Sequence, residues 1–293
     1  MKIFRAQVRR VTQLSPTLIR IRLAVDGFTS TGVGDEYVRL FFPHGEDRLD
    51  VSLPRVVGDS WETPPGAPEP PMRTYTIRAA GPGWVDVDFV VHDGGVAASW
   101  ARTASVGDIL GLNSPTGLYD PPAGTTHQIL LGDLTALPAL ARLVEQSPEG
   151  MVTEAVIEVP DDASRLALPQ HPGAKIRWVI GGNWVGPSLL PQALKAALAS
   201  LPEGAQRPYV WVAGQTPALR EVRRHLRREL GWPAQSFKLV GYWIPRAEEW
   251  RDRYDALPPE TVAELNSIFE AAPESEQELA MIEYEDRLEK LGL

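Results

Sequence analysis

The sequence contains no cysteine. That single absence removes disulfides, thiolate catalysis, iron–sulfur clusters and cysteine-ligated zinc. The histidines, at 44, 92, 127, 171 and 225, form no HExxH or similar pairing, so no metal site is expected. GxGxxG is missing too, and with it the signal of an ordinary dinucleotide fold. No run approaches the ~20 apolar residues that cross a bilayer. Met1-Lys2-Ile3-Phe4-Arg5 lacks the apolar stretch of a secretory signal, and a cytoplasmic protein with no membrane partner is expected. A basic excess is lacking as well: the net charge is −9, which argues against nucleic acid as a general partner. Any redox chemistry would have to come from an organic cofactor.

What is present is enough for two packed domains. The chain has 293 residues, 43% of them hydrophobic. Residues 3–12, 17–25, 36–42, 73–78, 84–91 and 109–112 alternate or run apolar as short strands. Only one helical interruption separates them, which predicts a six-stranded antiparallel barrel over 1–122. Residues 54–71 carry six prolines and two glycines and read as a loop. The pattern changes at Pro121-Pro122-Ala123-Gly124. Strands at 128–132, 152–159, 175–180, 209–213 and 237–242 then alternate with helices at 135–146, 187–200 and 217–230. This predicts an α/β nucleotide-binding domain with a parallel sheet over 123–250. A helical, acidic extension over 251–293 places Leu279, Ile282 and Leu288 on one apolar face. A packing role suits it, and so does a dimer contact; a monomer or a weak dimer is expected.

Three stretches carry groups that could do chemistry. Arg73-Thr74-Tyr75-Thr76-Ile77-Arg78 offers a cation, a ring and a hydroxyl within four residues. In a regular strand Arg73 and Tyr75 share one face and Thr76 takes the other, so the strand would have to end or bulge there for one ligand to meet all three. His92-Asp93-Gly94-Gly95-Val96-Ala97-Ala98-Ser99 runs from a strand end into a helix start, where unpaired N–H groups suit phosphate. His92 serves a structural role there as readily as a chemical one. Gly132-Asp133-Leu134-Thr135-Ala136 follows the first strand of the second domain, the place where parallel sheets present ligands. Capping of the next helix would by itself account for Asp133 and Thr135.

The order of RTYTIR, DFVVHDGGVAASWA, GDLTALPA, WVAGQTPALREVRRHLRRELG and KLVGYW resembles the siderophore-interacting protein family over residues 3–250. These are flavin-dependent ferric-siderophore reductases related to the ferredoxin reductases. The resemblance implies an FAD-binding barrel followed by a domain that binds NADH or NADPH. It implies that Arg73 meets the FAD pyrophosphate, Tyr75 stacks on the isoalloxazine and Thr76 bonds its reactive edge. His92, Gly94, Gly95, Ala98 and Ser99 would form the phosphate turn. Asp133, Thr135 and Ala136 would lie near the flavin and nicotinamide, with Tyr242 and Trp243 on the far side of the ring. Leu134 and Gln215 stand where the family usually carries glutamates, and Ile244, Pro245 and Arg246 follow Trp243 where a basic residue and a glycine are usual.

The expected activity is electron transfer from NAD(P)H through FAD to a ferric siderophore, releasing Fe(II). The cofactor would carry the chemistry, so no catalytic side chain is needed. Lys238, Arg246 and Arg251 are candidates for an anionic chelate, and solvated surface charge explains them equally well. The alternative expectation is an FAD protein that has lost pyridine-nucleotide use and takes electrons from a donor such as ferredoxin.

Overall fold

A computed structural model describes residues 1–44, 47–49, 51–58, 60–202, 204–273 and 276–293. Asp59 of the proline-rich loop, and Glu274 and Ser275 of the tail, lie outside the described residues. The chain divides into two compact units. One comprises 1–119, 134–149 and 161–174, the other 120–133, 150–160 and 175–293.

The first unit is a closed antiparallel barrel. Its strands are β1 (Ile3–Ser15), β2 (Leu18–Val25) and β3 (Tyr37–Phe41), then, after a small exposed hairpin of β4 (Arg55–Val57) and β5 (Ser60–Glu62), β6 (Met72–Gly81), β7 (Trp84–Val90) and, beyond helix α1 (Val96–Arg102), β8 (Ile109–Asn113). The order around the barrel is β1-β2-β7-β6-β3-β8. Strand alternation makes it: Ile19, Ile21, Leu23 and Val25 of β2 turn inward and are buried, while Arg20 and Arg22 turn outward. Those arginines sit opposite Asp88 and Asp86 of β7 and bind them through pairs of bonds of 2.6–2.8 Å. Trp100 of α1 caps the core, edge-on to Phe42 at 5.5 Å. The hairpin lies in what the sequence presents as loop. Its three-residue strands are too short to show alternation, and Trp61 anchors it edge-on to Phe41 at 5.7 Å.

In the second unit β9 (His127–Gly132) is the central strand. Helix α2 (Leu137–Glu145) follows it in sequence but clusters with the barrel, where it packs on β6. The sheet is completed by β10 (Val152–Val159), β11 (Ala174–Ile180), β12 (Tyr209–Gln215) and β13 (Phe237–Trp243), in the order β11-β10-β9-β12-β13, with α3 (Leu190–Ala199) and α4 (Thr216–Arg224) between strands. Every strand pair recorded in it is parallel. The order reverses between β9 and β12, which is the switch point where open parallel sheets take ligands at their C-terminal ends.

The tail forms α5 (Ala247–Asp255), α6 (Pro259–Ala271) and α7 (Gln277–Lys290). α7 packs on α4 through carboxylate–arginine pairs: Arg223 with Glu278 at 2.9 Å and with Glu285, and Arg224 with Asp286 at 3.2 Å. This is the packing role rather than a bare apolar face. Ala280, Ile282 and Leu288 are buried, but Leu279 is 40% exposed and does not belong with them. Among the described residues no helix is long and apolar enough to cross a membrane.

Candidate functional site

β6 pairs with β3 from Met72 to Thr76 but with β7 only from Ile77 onward. The bonds Phe42 N to Pro71 O (2.8 Å) and Ile77 N to Glu36 O (2.9 Å) set the phase of the β3 ladder. In that phase Arg73 and Tyr75 direct their backbone groups to β3, and Thr74 and Thr76 direct theirs to the opposite edge. That edge is where β7 has not yet joined. The strand is regular through Thr76; its one irregularity lies between Ile77 and Ala79, beyond the three candidate residues rather than before them. The site is therefore made by a ladder that starts late on one side.

The side chains follow the regular geometry. Arg73 is exposed, and its guanidinium donates to the neighbouring Met72 carbonyl at 2.7 Å. Arg20, Arg22, Arg48, Arg78 and Arg142 are each paired with a carboxylate, whereas none is recorded for Arg73 among the described residues. Tyr75 is half-buried, tilted against Phe89 at 4.5 Å, and burial pushes its phenol well above the ordinary range while the charge of Arg73 pulls it back. Thr76 is buried on the other face.

Gly94 and Gly95 both have φ near +80°, a backbone that suits glycine, and Gly95 is the N-cap of α1. No side chain caps this helix and no acid stands in its first turn. Its geometry leaves the N–H groups of Val96, Ala97 and Ala98 without helical partners. Ser99 is exposed and starts the helical bonding, its N–H reaching Gly95 O at 3.1 Å. His92 lies beside Gly95, with Nδ1 3.0 Å from the Asp93 carbonyl.

A cation without a carboxylate, an uncapped helix start and a half-open strand edge on one barrel fit a flavin dinucleotide. They would meet its pyrophosphate and its polar ring edge. A cleft of about 300 Å³ opens by the first residue of β6, lined by Phe41, Trp61, Glu62, Glu69 and Met72 among others.

A brace behind β6 has no local sign in the sequence. Arg142 of α2, 6% exposed, donates to Glu36 at 2.9 Å and to the Ile77 carbonyl at 2.7 Å. The backbone just past Thr76 is thus fixed from behind. The partners are 106 residues apart, a distance no short motif bridges. Thr135 and Ala136 form a 3-10 turn ahead of α2, with Ala136 rather than Thr135 at the N-cap and Pro138 in the first turn.

In the second unit, Asp133 stands at the end of β9, fully buried. Its carboxylate accepts from Gln215 N at 3.0 Å and from the Trp243 indole N–H at 2.7 Å. Gly214 must be glycine beside it, since a Cβ there would come within 2.5 Å of the carboxylate. Between Gly214–Gly241 and Gln215–Trp243 the β12–β13 register slips, leaving Tyr242 as the extra residue of a bulge. Tyr242 and Trp243 are thereby set at the C-terminal edge of the sheet, both half-buried.

Lys238 is five residues earlier on the same strand, ~16 Å from Trp243 at strand rise and toward the opposite end of the sheet. Arg246 has φ 50° and makes an exposed 3.4 Å pair with Glu249; Arg251 is exposed.

A second buried carboxylate holds the next loop at this edge. Glu158, 1% exposed at the end of β10, accepts from Ser188 Oγ at 3.0 Å and from the Leu189 N–H. Burial raises it to about 6, helped by the charge of Asp133 and opposed by those donors.

Two family models match the chain. Residues 7–119 match the siderophore-interacting FAD-binding domain, and residues 125–246 match the siderophore-interacting protein model. The chain belongs to the siderophore-interacting protein family. Among curated relatives of this family member, the NADPH-dependent ferric-chelate reductase of Escherichia coli is 31% identical over 80% of this chain and 91% of its own. The ferric vibriobactin reductase of Vibrio cholerae is 29% identical over 80% and 86%. A siderophore utilization protein from T. fusca superposes with a TM-score of 0.71 at 33% identity, covering 84% of this chain and 94% of its own. A ferredoxin reductase of carbazole 1,9a-dioxygenase, at 17% identity and TM-score 0.59, shares the fold. Helices α5, α6 and α7 lie beyond the residues that the family models match.

Proposed function

We propose that this protein is an FAD-dependent ferric-siderophore reductase that draws electrons from NADH or NADPH and releases iron as Fe(II). One observation carries the reading: the half-open edge of β6 bears Arg73, Tyr75 and Thr76 within a barrel that matches the family's FAD-binding domain. Bound FAD would accept a hydride from the nicotinamide and pass electrons singly to the ferric chelate.

The chain's own residues would bind and orient. The Arg73 guanidinium would neutralise pyrophosphate together with the N–H groups of the Gly94–Ser99 turn, beside His92 and Ala98. Tyr75 would give the ring an apolar wall, and Thr76 would offer the strand edge. Thr135 and Ala136 belong to the same unit and are assigned to the flavin side. In the second unit Tyr242 and Trp243 would face the nucleotide, with Asp133 holding Trp243 rather than touching ligand. Arg246 and Arg251 are left for the anionic chelate, and Lys238, at the other end of its strand, is not. The functional division proposed is 1–122 for FAD, 123–250 for the nucleotide and 251–293 as an extension.

A second reading, with ferredoxin or another protein as donor, draws on Leu134 and Gln215. Leu134 is fully buried and Gln215 brings an amide, so neither position presents a carboxylate.

The test is anaerobic titration of the purified, flavin-loaded protein. NADH or NADPH should bleach the flavin, and a ferric chelate should reoxidise it with Fe(II) appearing in a colorimetric trap. Protein that takes up no FAD overturns both readings. Flavin bleached by reduced ferredoxin and by neither nucleotide selects the second. Arg73→Ala should weaken FAD retention at least ten-fold; undiminished occupancy would reject the assigned edge.

A further inference from the structure

We propose that Trp184 is a stacking platform for the adenine base of the pyridine nucleotide, a contact that rests on the donor reading given above. Of the nine tryptophans, eight are buried or half-buried, and Trp184 alone is exposed, at 45%. Large aromatic side chains are ordinarily well covered, so an indole with nearly half its surface open to solvent on a fixed loop has area available to a ligand. Val185 beside it is 61% exposed and Ile180, at the end of β11, is 46% exposed.

The loop that presents Trp184 is held from below. Gly182 and Asn183 have φ of 56° and 54°, and Asn183 is 2% exposed. The Asn183 amide donates to the Gly181 carbonyl at 3.1 Å and to the Glu158 carbonyl at 3.4 Å. Gly182 sits so close over Glu158 that a Cβ would come within 2.2 Å of the carboxyl. On the far side of the tip, Glu158 accepts from Ser188 and Leu189. Both ends of a seven-residue tip are therefore tied to one residue, Glu158, and the ring between them has a defined place.

Its location selects the base. In a doubly wound sheet the pyrophosphate lies at the end of the first strand, here β9, and the adenosine half extends over the neighbouring strands of the same βαβ half. Those strands are β10 and β11, and Trp184 follows β11 directly. Tyr242 and Trp243 stand at the end of β13, on the other side of the switch point, where the nicotinamide half belongs. A planar purine is what a fixed indole face at this position would recognise, through stacking that does not depend on a 2′-phosphate.

The experiment compares wild type, Trp184→Ala and Trp184→Phe with two donors, NADH and reduced nicotinamide mononucleotide, which lacks adenine. It also measures ADP-ribose binding by calorimetry, which needs no flavin reduction. Trp184→Ala should raise KM for NADH and Kd for ADP-ribose roughly ten-fold, the size of one lost base–aromatic stack. The kcat should stay within about two-fold, and Trp184→Phe should recover most of the loss. Rates with reduced nicotinamide mononucleotide should be the same in all three. Unchanged ADP-ribose binding in Trp184→Ala overturns the inference, and so does an equal loss with both donors, which would indicate loop damage. If no pyridine nucleotide bleaches wild-type flavin, the donor reading fails; if wild type also binds no ADP-ribose, the platform fails with it.

Discussion

Glu36 in the barrel unit and Glu158 in the sheet unit are the same residue type, buried to the same degree at 0% and 1% exposure, yet they settle oppositely. Desolvation is the largest influence on each and pushes each upward. At Glu36 it is outweighed by donors from Ser30, Thr31 and the Arg142 guanidinium, and the carboxyl falls below its ordinary 4.5. At Glu158 the donors are the Ser188 hydroxyl and the backbones of Leu189 and Asn183, with a second carboxylate nearby and no cation among the described residues, and it rises to about 6. A partnering cation decides between a permanently charged brace and a titratable one. The two stabilise the fold over different pH ranges. Glu36 contributes above pH 4.5 and is lost as pH falls below it. Glu158 binds its proton more tightly when folded, so its contribution is fullest below 4.5 and is lost as pH rises toward about 6.

Removing the cation should break the contrast most violently. Arg142→Met leaves Glu36 buried without its cation, and urea denaturation should register a loss of about 3–5 kcal/mol. Gly182→Ala attacks the other carboxyl by crowding it at a positive φ; about 2–3 kcal/mol should be lost. An unshifted thermal midpoint would show that the loop moves aside freely. Glu158→Gln should sharpen the comparison instead. Wild-type stability is expected to fall by about 2 kcal/mol between pH 4.5 and 6, at 1.36 kcal/mol per pKa unit, and the variant should lose that slope. The smallest effect belongs to Ser188→Ala, which deletes one donor at a cost of about 1 kcal/mol and should raise the pH at which Glu158 titrates.

The barrel strands and the parallel sheet are legible because alternation and apolar runs are local: β10 falls on residues 152–159 as expected, and β2 within one residue. The strand that bears Tyr75 and Thr76 and the Gly94–Gly95 turn are legible for the same reason. What joins them is not local. The Arg142–Glu36 brace, the Asp133 contacts to Gln215 and Trp243, and the Glu158 clasp on Leu189 all link side chains from separate elements. Asp133 shows the limit well: its place at a strand end is readable, but its commitment inward depends on an indole 110 residues away. The β4–β5 hairpin and the exclusion of Leu279 from the buried face of α7 also escape pattern reading. Both depend on which neighbour happens to cover them.

Lys238 stands on one of the two outer strands of its sheet. The strand order of the barrel closes on itself, whereas the parallel sheet ends in β11 and β13. An open rim of backbone donors and acceptors is a template for self-association. Each outer strand carries a lysine, Lys175 on β11 and Lys238 on β13. Like charges brought rim to rim repel, so lysines on both outer strands disfavour edge-to-edge pairing of two such sheets.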